Sequence, residues 1–183
     1  MKLIIWINGT HGVGKTTIAM ILNEKLDRKA FILDSDASFP FFVEERAKKE
    51  GLQNIGGMLP QTNMAFMEEF KKDIIEYSKR KKIIIISMSA CTSESKSILI
   101  DYFRNENFIH IVLEAKDDVI IERIMNDFNR DKELAIKEMS GNKEFIKNNY
   151  LEEEIIDTSE LSQEEVANKI IEDYNLKYFI KKI

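Results

Sequence analysis

The residues best suited to chemistry lie near the start of the chain, where positions 9–16 read Gly-Thr-His-Gly-Val-Gly-Lys-Thr. This string matches the pattern G-x-x-x-x-G-K-[ST] at every required position. Glycines in such a loop let backbone N–H groups converge on a polyphosphate, and the helix that follows adds its positive N-terminal end. We therefore predict that Lys15 contacts the β- and γ-phosphates and that the Thr16 hydroxyl ligates Mg²⁺.

The predicted nucleotide-binding residues form one continuous segment. They are Gly9, Thr10, His11, Gly12, Val13, Gly14, Lys15, Thr16 and Thr17. His11 occupies a position at which the motif accepts any residue, so we interpret its imidazole as a spacer rather than a catalyst. An apolar run, Leu3–Ile7, precedes the loop and an amphipathic stretch follows it, as the motif requires.

Two carboxylates follow the second apolar run of the chain, where residues 30–33 lead into Asp34-Ser35-Asp36. In an open α/β sheet the carboxyl ends of parallel strands face the ligand crevice, so we expect both carboxylates beside the phosphate loop. We assign Asp36 to orienting an acceptor hydroxyl and Asp34 to supporting the metal with Thr16. The reverse assignment and a simple solvated turn are the alternatives.

Two of the six arginines lie where a cationic lid would begin. Arg123 and Arg130 flank the start of the polar segment 129–142, which contains Gly141 and few large apolar residues. Arginines on a lid neutralise the charge on a transferring phosphoryl group. We therefore predict a small mobile lid at 129–142 with both arginines catalytic, the alternative for Arg123 being a surface ion pair with Asp127.

The elements that must position these residues alternate between strand-like and helix-like patterns. The Ile-rich apolar runs are Lys2–Ile7, Ala30–Leu33, Lys82–Ile86, Phe108–Leu113 and Glu154–Ile156. Continuous apolar runs of this length are typical of strands buried on both faces of a parallel sheet. Segments with helical periodicity separate these runs, at 16–26, 62–78 and 117–128. A capping box at Ser162 and Glu165 predicts a further helix after the last run.

This alternation predicts an α/β protein with the three-layer P-loop NTPase fold. We expect a five-stranded parallel sheet in the order 2-3-1-4-5, with helices on both faces and the small lid. The whole chain, 1–183, is predicted to be a single domain.

Composition limits the classes of function. The formal net charge of −5 argues against general nucleic-acid binding, and a single cysteine, Cys91, cannot form an internal disulfide. We recognise no targeting signal and no run long enough to insert into a membrane, so we expect a cytoplasmic protein. A switch GTPase is disfavoured because Asn142-Lys143 lacks the Asp of a guanine-binding motif. A large motor or AAA+ core is also disfavoured, because it needs a longer chain and an acidic pair after the third strand, where this sequence has no carboxylate.

The opening of the chain also carries a family resemblance. Residues 4–9, Ile-Ile-Trp-Ile-Asn-Gly, running into 12–17, Gly-Val-Gly-Lys-Thr-Thr, resemble the tunicamycin-resistance ATP-binding proteins of the small-molecule kinase-like P-loop superfamily. The resemblance implies ATP binding through residues 9–17 and the handling of a nucleoside-like antibiotic or a related small molecule.

We therefore expect ATP and Mg²⁺ as cofactors and a small molecule with a hydroxyl acceptor as the partner, with no oligomeric state predicted. The predicted reaction moves the γ-phosphate of Mg-ATP to a hydroxyl of a metabolite or nucleoside-like antibiotic. The alternatives are a protein that sequesters such a molecule without transfer and a kinase-like toxin acting on nucleotide sugars. Adenine is expected near 157–161, and Phe39, Phe41, Phe42 and Met58 are interpreted as packing residues or as an acceptor pocket.

Overall fold

The structure, a computed structural model, describes residues 2–50, 59–128 and 131–181. Its five strands form one parallel sheet in the order β2-β3-β1-β4-β5, which confirms the predicted fold and strand order. The strands are β1 (Leu3–Gly9), β2 (Ala30–Asp34), β3 (Ile83–Ser87), β4 (Phe108–Glu114) and β5 (Ile155–Asp157). Each strand closely follows the apolar run that predicted it.

Helices cover both faces of this sheet. They are α1 (Lys15–Lys25), α2 (Ser35–Glu50), α3 (Met64–Arg80), α4 (Ser93–Ser95, continued by a π-helical segment Lys96–Asp101), α5 (Asp117–Asn126), α6 (Lys132–Asn149), α7 (Gln163–Asp173) and α8 (Leu176–Lys181). Short 3₁₀ turns at Pro60–Thr62 and Glu152–Glu154 precede α3 and β5. Of the described helices, none is long and apolar enough to cross a membrane.

The central strand explains the three layers. Every residue of β1 is buried, and its side chains alternate between two apolar cores, as the period of two in a strand requires. Leu3, Ile5 and Ile7 pack with α1, α5 and α7 on one face. Ile4 and Trp6 pack with α3 on the other. A strand buried on both faces cannot show polar alternation, which is why β1 and β3 are continuously apolar.

Helix α2 differs from the turn that Asp34-Ser35-Asp36 suggested. Asp34 Oδ1 accepts hydrogen bonds from the backbone N–H groups of Asp36 (2.8 Å) and Ala37 (3.4 Å) and so starts the helix directly after β2. Pro40 lies inside the helix, where it removes one backbone donor. Asp-Ser-Asp composition suits a helix start as well as a turn, and Pro40 conceals the helical pattern that follows.

Helix α6 forms most of the segment 129–142 that we predicted to be a lid. Residues 132–149 form one helix, with Gly141 in its interior, and Asp131 caps its start by accepting the Leu134 N–H (3.0 Å). One face is buried through Ala135, Met139, Asn142 and Ile146. The segment therefore has more burial than its polar sequence suggested. Asn129 and Arg130 of the predicted lid lie outside the described residues, as do residues 51–58.

Candidate active site

The phosphate loop joins β1 to α1 through left-handed backbone that only glycine adopts readily. Gly9 has φ 135°, and a Cβ there would lie 2.4 Å from the carbonyl oxygen of Leu113. Gly12 has φ 79°, and a Cβ there would lie 2.8 Å from Ile124 Cγ1. The loop is thus pressed against the end of β4 and against α5, and neither position has room for a side chain.

Lys15 is the first residue of α1, and its ammonium folds back over the loop. Nζ donates a 2.9 Å hydrogen bond to the carbonyl of Thr10, and the residue is only 9% exposed. The cation is therefore held at the centre of the loop, where the phosphates of a nucleotide would replace solvent around it.

Three oxygen-bearing side chains meet at the first turn of α1. Thr16 Oγ1 donates to Asp34 Oδ2 (2.7 Å) and lies 3.3 Å from Ser87 Oγ. Asp34 and Ser87 are directly paired in the register of β2 and β3, so two strand ends hold this corner. Hydroxyl and carboxylate oxygens are the donors that Mg²⁺ prefers, and they fit an ion whose remaining ligands are water and phosphate. In the described part of the chain, no group of three or more His, Cys, Asp or Glu residues is arranged to hold a metal ion by itself.

Asp36 lies in the first turn of α2, on the wall of the same cleft. It is exposed, whereas both carboxylate oxygens of Asp34 already accept hydrogen bonds. The two predicted carboxylates therefore lie beside the phosphate loop but in different surroundings. Their proposed roles follow from this difference.

Arg123 is held on the opposite wall of the cleft. Its Nη1 donates to Thr158 Oγ1 and its Nη2 to the Thr158 carbonyl, each at 3.1 Å. Thr158 in turn bonds the Glu114 carbonyl through its N–H (2.8 Å) and its hydroxyl (3.0 Å). This chain of contacts ties α5 to the ends of β4 and β5, where the sequence placed adenine.

A buried polar network behind the loop has no counterpart in the sequence analysis. Asn8 Oδ1 accepts the N–H groups of Gly9 (2.7 Å) and Ala90 (2.8 Å), which leaves its amide to donate to His110 Nε2 (3.2 Å). His110 Nδ1 therefore carries the proton and lies 3.3 Å from Glu154 Oε1. Burial lowers the pKa of His110, although the Glu154 carboxylate opposes this shift.

Ser89 and Cys91 complete the surroundings of the loop. Ser89 Oγ donates to the Gly9 carbonyl at 2.7 Å, so the segment directly after β3 supports the loop through a side chain. Cys91 is buried, and burial raises its pKa to about 12, so the thiol stays protonated and is a poor nucleophile. Asn8, Ser87 and Ser89 join elements distant in sequence; the only local signal for them is a polar residue at the end of an apolar strand.

The loop lies at the centre of a cleft of about 890 Å³. On the β2 side the described lining residues are Asp34, Asp36, Ala37, Phe39, Pro40, Leu59 and Pro60. On the β5 side they include Arg123, Asp127, Asp131, Leu134, Thr158, Leu161, Gln163 and Val166. Of the aromatic residues predicted for an acceptor pocket, Phe39 lines the cleft, Phe42 packs on Phe66, and Phe41 is 71% exposed. Met58 lies outside the described residues.

The fold and the loop together define a P-loop nucleotide-binding protein of kinase-like architecture. A family model described as an AAA domain matches residues 5–157, and the chain belongs to this family. The matched region is the P-loop domain itself. Its strand β3 ends at Ser87 and not at the acidic pair that is expected of a large AAA+ core. No curated protein matches the sequence significantly.

Solved structures share the fold over nearly the whole chain. A tunicamycin resistance protein of Deinococcus radiodurans is 21% identical with a TM-score of 0.66, and the match covers 95% of this chain and 96% of that one. A shikimate kinase of Bacteroides thetaiotaomicron is 17% identical with a TM-score of 0.61 and coverage of 94% and 98%. A gluconokinase of Sinorhizobium meliloti 1021 is 14% identical with a TM-score of 0.59 and coverage of 96% and 97%. At these identities the likeness shows the kinase-like P-loop fold.

Proposed function

We propose that the protein is a small-molecule kinase that transfers the γ-phosphoryl group of Mg-ATP to a hydroxyl of a small metabolite or nucleoside-like antibiotic. The observation that carries this proposal is the placement of an exposed carboxylate, Asp36, in the same cleft as a complete phosphate loop and the Thr16–Asp34–Ser87 corner. In phosphoryl transfer such a carboxylate orients the attacking hydroxyl and takes up its proton. ATP is a cytoplasmic metabolite, which agrees with the expected location.

Binding of the triphosphate falls to the loop and to the first turn of α1. Backbone N–H groups of residues 9–17 surround the β- and γ-phosphates, and Lys15 balances their charge. Thr16, with Asp34 and Ser87 behind it, would hold Mg²⁺, which when bound offsets the negative charge that develops during transfer. The bond from Thr16 Oγ1 to Asp34 keeps the hydroxyl oxygen turned toward that corner.

Asp36 is the proposed residue that orients the acceptor. Its carboxylate would accept a hydrogen bond from the attacking hydroxyl and take up its proton as the new P–O bond forms. Asp34 is unsuited to this role because its two oxygens are engaged by Thr16 and by the start of α2. The structure thus favours one of the two assignments that the sequence left open.

The opposite half of the cleft is proposed to hold adenine and the cationic lid. Thr158, Leu161 and Gln163 line it near the predicted adenine position. Arg123 would exchange its bonds to Thr158 for the triphosphate, and Arg130 is proposed to act with it. Because α6 begins at Lys132, two residues after Arg130, its first turn is proposed to move with the lid.

The test is a thermal-shift screen of nucleotides and hydroxyl compounds, followed by detection of ADP and of a phosphorylated acceptor. The proposal predicts stabilisation by Mg-ATP and acceptor-dependent ADP formation that is lost in Lys15→Ala. Lys29→Ala removes an exposed lysine away from the cleft and is the matched control. Joint binding of ATP and a ligand without any phosphorylated product would instead support a sequestering protein, the alternative suggested by the fold shared with the tunicamycin resistance protein.

A further inference from the structure

We propose that the acceptor is an uncharged or cationic molecule with an apolar part, and that molecules carrying a carboxylate or phosphate are excluded as acceptors. This inference rests on the proposed function, because it concerns the acceptor half of the same cleft. It is drawn from the charges and surfaces that line that half.

The β2 side of the cleft is acidic. Asp34 and Asp36 line it, together with the apolar residues Ala37, Phe39, Pro40, Leu59 and Pro60, and no lysine or arginine is found among its described lining residues. The described part of this wall therefore offers no cation that could pair with an anionic acceptor.

The basic residues nearest in sequence already have acidic partners. Arg46 bonds Glu50 at 2.7 Å and Lys48 bonds Glu44 at 2.6 Å, each along the exposed surface of α2. In the cleft itself, Lys15 is held by the loop carbonyl of Thr10 and serves the triphosphate. Arg123 lies on the β5 side of the cleft, where Asp127 and Asp131 also line it.

The charge balance decides which molecules this half can bind. An anionic acceptor would lie against the exposed Asp36 carboxylate, with Asp34 behind it and no lysine or arginine among the described residues of this wall. Like charges a few ångströms apart at a partly desolvated site repel strongly. A neutral hydroxyl can instead donate a hydrogen bond to Asp36, and an ammonium group gains an opposite charge. We expect at least about tenfold discrimination against the anion at moderate ionic strength.

The apolar part of the acceptor is expected to lie on Phe39 and Pro40. Phe39 packs edge-on against Phe66, with ring centroids 5.0 Å apart and an interplanar angle of 78°, and Phe66 belongs to the buried core. The ring is therefore anchored from behind, while its residue lines the cleft. A rigid aromatic wall of this kind favours a flat or apolar ligand surface.

The test uses a deproteinised small-molecule extract of the expression host, separated by ion exchange into anionic, uncharged and cationic pools. Each pool is incubated with the purified protein and Mg-[γ-³²P]ATP, and labelled product is measured. In parallel, the melting temperature is measured with each pool and a non-hydrolysable ATP analogue. We expect label, and stabilisation beyond that of the analogue alone, from the uncharged or cationic pool, and at least about tenfold less from the anionic pool.

Ala37→Lys adds a cation to this wall at an exposed residue that has no assigned role in transfer. It should leave Mg-ATP affinity unchanged and raise the ratio of anionic to cationic products about tenfold. Ala37→Gln adds a side chain without a charge at the same exposed position and serves as the neutral control.

The outcomes separate this inference from the proposed function. Label confined to the anionic pool overturns the inference and leaves the kinase proposal standing. Stabilisation by the uncharged or cationic pool without any label overturns transfer but supports the predicted charge of the ligand. If no pool yields a labelled product and no pool stabilises the protein, both the inference and the proposed function are contradicted.

Discussion

At the scale of single residues, Asp34 and Asp36 lie in different surroundings, and the proposed division of tasks between them rests on this difference. Asp34 is the last residue of β2, and it bonds Thr16 with one oxygen and the start of α2 with the other. Asp36 lies two residues further along the chain, in the first turn of α2, and is exposed on the wall of the cleft. Both oxygens of Asp34 are therefore already hydrogen-bonded at the proposed metal corner, whereas the Asp36 carboxylate is accessible to an acceptor.

Lys15 provides the most local prediction. Lys15→Ala should weaken Mg-ATP binding by about 1.5–3 kcal/mol, because it removes a charge-assisted contact to phosphate. Isothermal titration calorimetry measures this loss, with Lys29→Ala as the control that should bind like the wild type. Equal affinity in Lys15→Ala would mean that the loop does not bind the triphosphate as assigned.

Asp36→Asn should lower phosphoryl transfer by about 10²–10⁴-fold and leave Mg-ATP affinity nearly intact, because the amide cannot take up the hydroxyl proton. Asp118→Asn, an exposed acid in the first turn of α5 and outside the cleft, is the matched control. Initial rates and calorimetry measure the two effects separately. A variant that loses ATP affinity as well would indicate that Asp36 acts at the metal instead.

His110 predicts a dependence of stability on pH. Burial lowers its pKa in the folded protein, with Glu154 opposing and Arg104 reinforcing the shift. The unfolded chain therefore binds a proton first, and the free energy of unfolding should fall as the pH is lowered from about 7 through the ordinary histidine value of about 6.5. Urea unfolding at several pH values should show that the free energy of unfolding depends less on pH in His110→Gln than in the wild type. If the two proteins show the same dependence, another group is responsible for it.

At the scale of elements, α6 has one buried face and a glycine, Gly141, in its interior. Gly141 lies inside the helix, outside the left-handed region, and a Cβ there would meet nothing within 4 Å. Gly141→Ala should therefore stabilise the fold by about 0.5–1 kcal/mol, because it lowers the entropy of the unfolded chain. Gly14→Ala is the matched contrast: it has the same free space, but φ is 96°, so it should destabilise. Urea unfolding of both variants measures the pair, and destabilisation by Gly141→Ala would show that α6 is strained at this position.

The elements also show what could be read from the sequence. The loop and the five strands were predictable because their signals are local: glycine spacing in one case and continuous apolar runs in the other. Helix α2 was missed because Pro40 interrupts its pattern, and α6 because the polar residues around Gly141 outnumber its buried face. The Thr16–Ser87 and Asn8–His110 contacts join residues far apart in sequence and follow only from the packing of the strands.

At the scale of the whole molecule, one cleft crosses the carboxyl ends of the sheet with the phosphate loop at its centre. Because β1 is the middle strand, the proposed acceptor wall after β2 and the proposed adenine wall after β5 lie on opposite sides of the loop. This arrangement would let ATP and an acceptor bind together, with the γ-phosphate between them. The strand order therefore determines where each substrate is expected.

The most direct test of the central claim follows the γ-phosphoryl group of Mg-[γ-³²P]ATP in a single turnover with the acceptor that the screen identifies. The account predicts that label moves from ATP to the acceptor in a reaction that requires Mg²⁺, proceeds in Asp118→Asn and is severely slowed in Asp36→Asn. If ATP and the acceptor bind together and all label remains on ATP, the cleft holds its ligands without transferring phosphate, and the account is wrong.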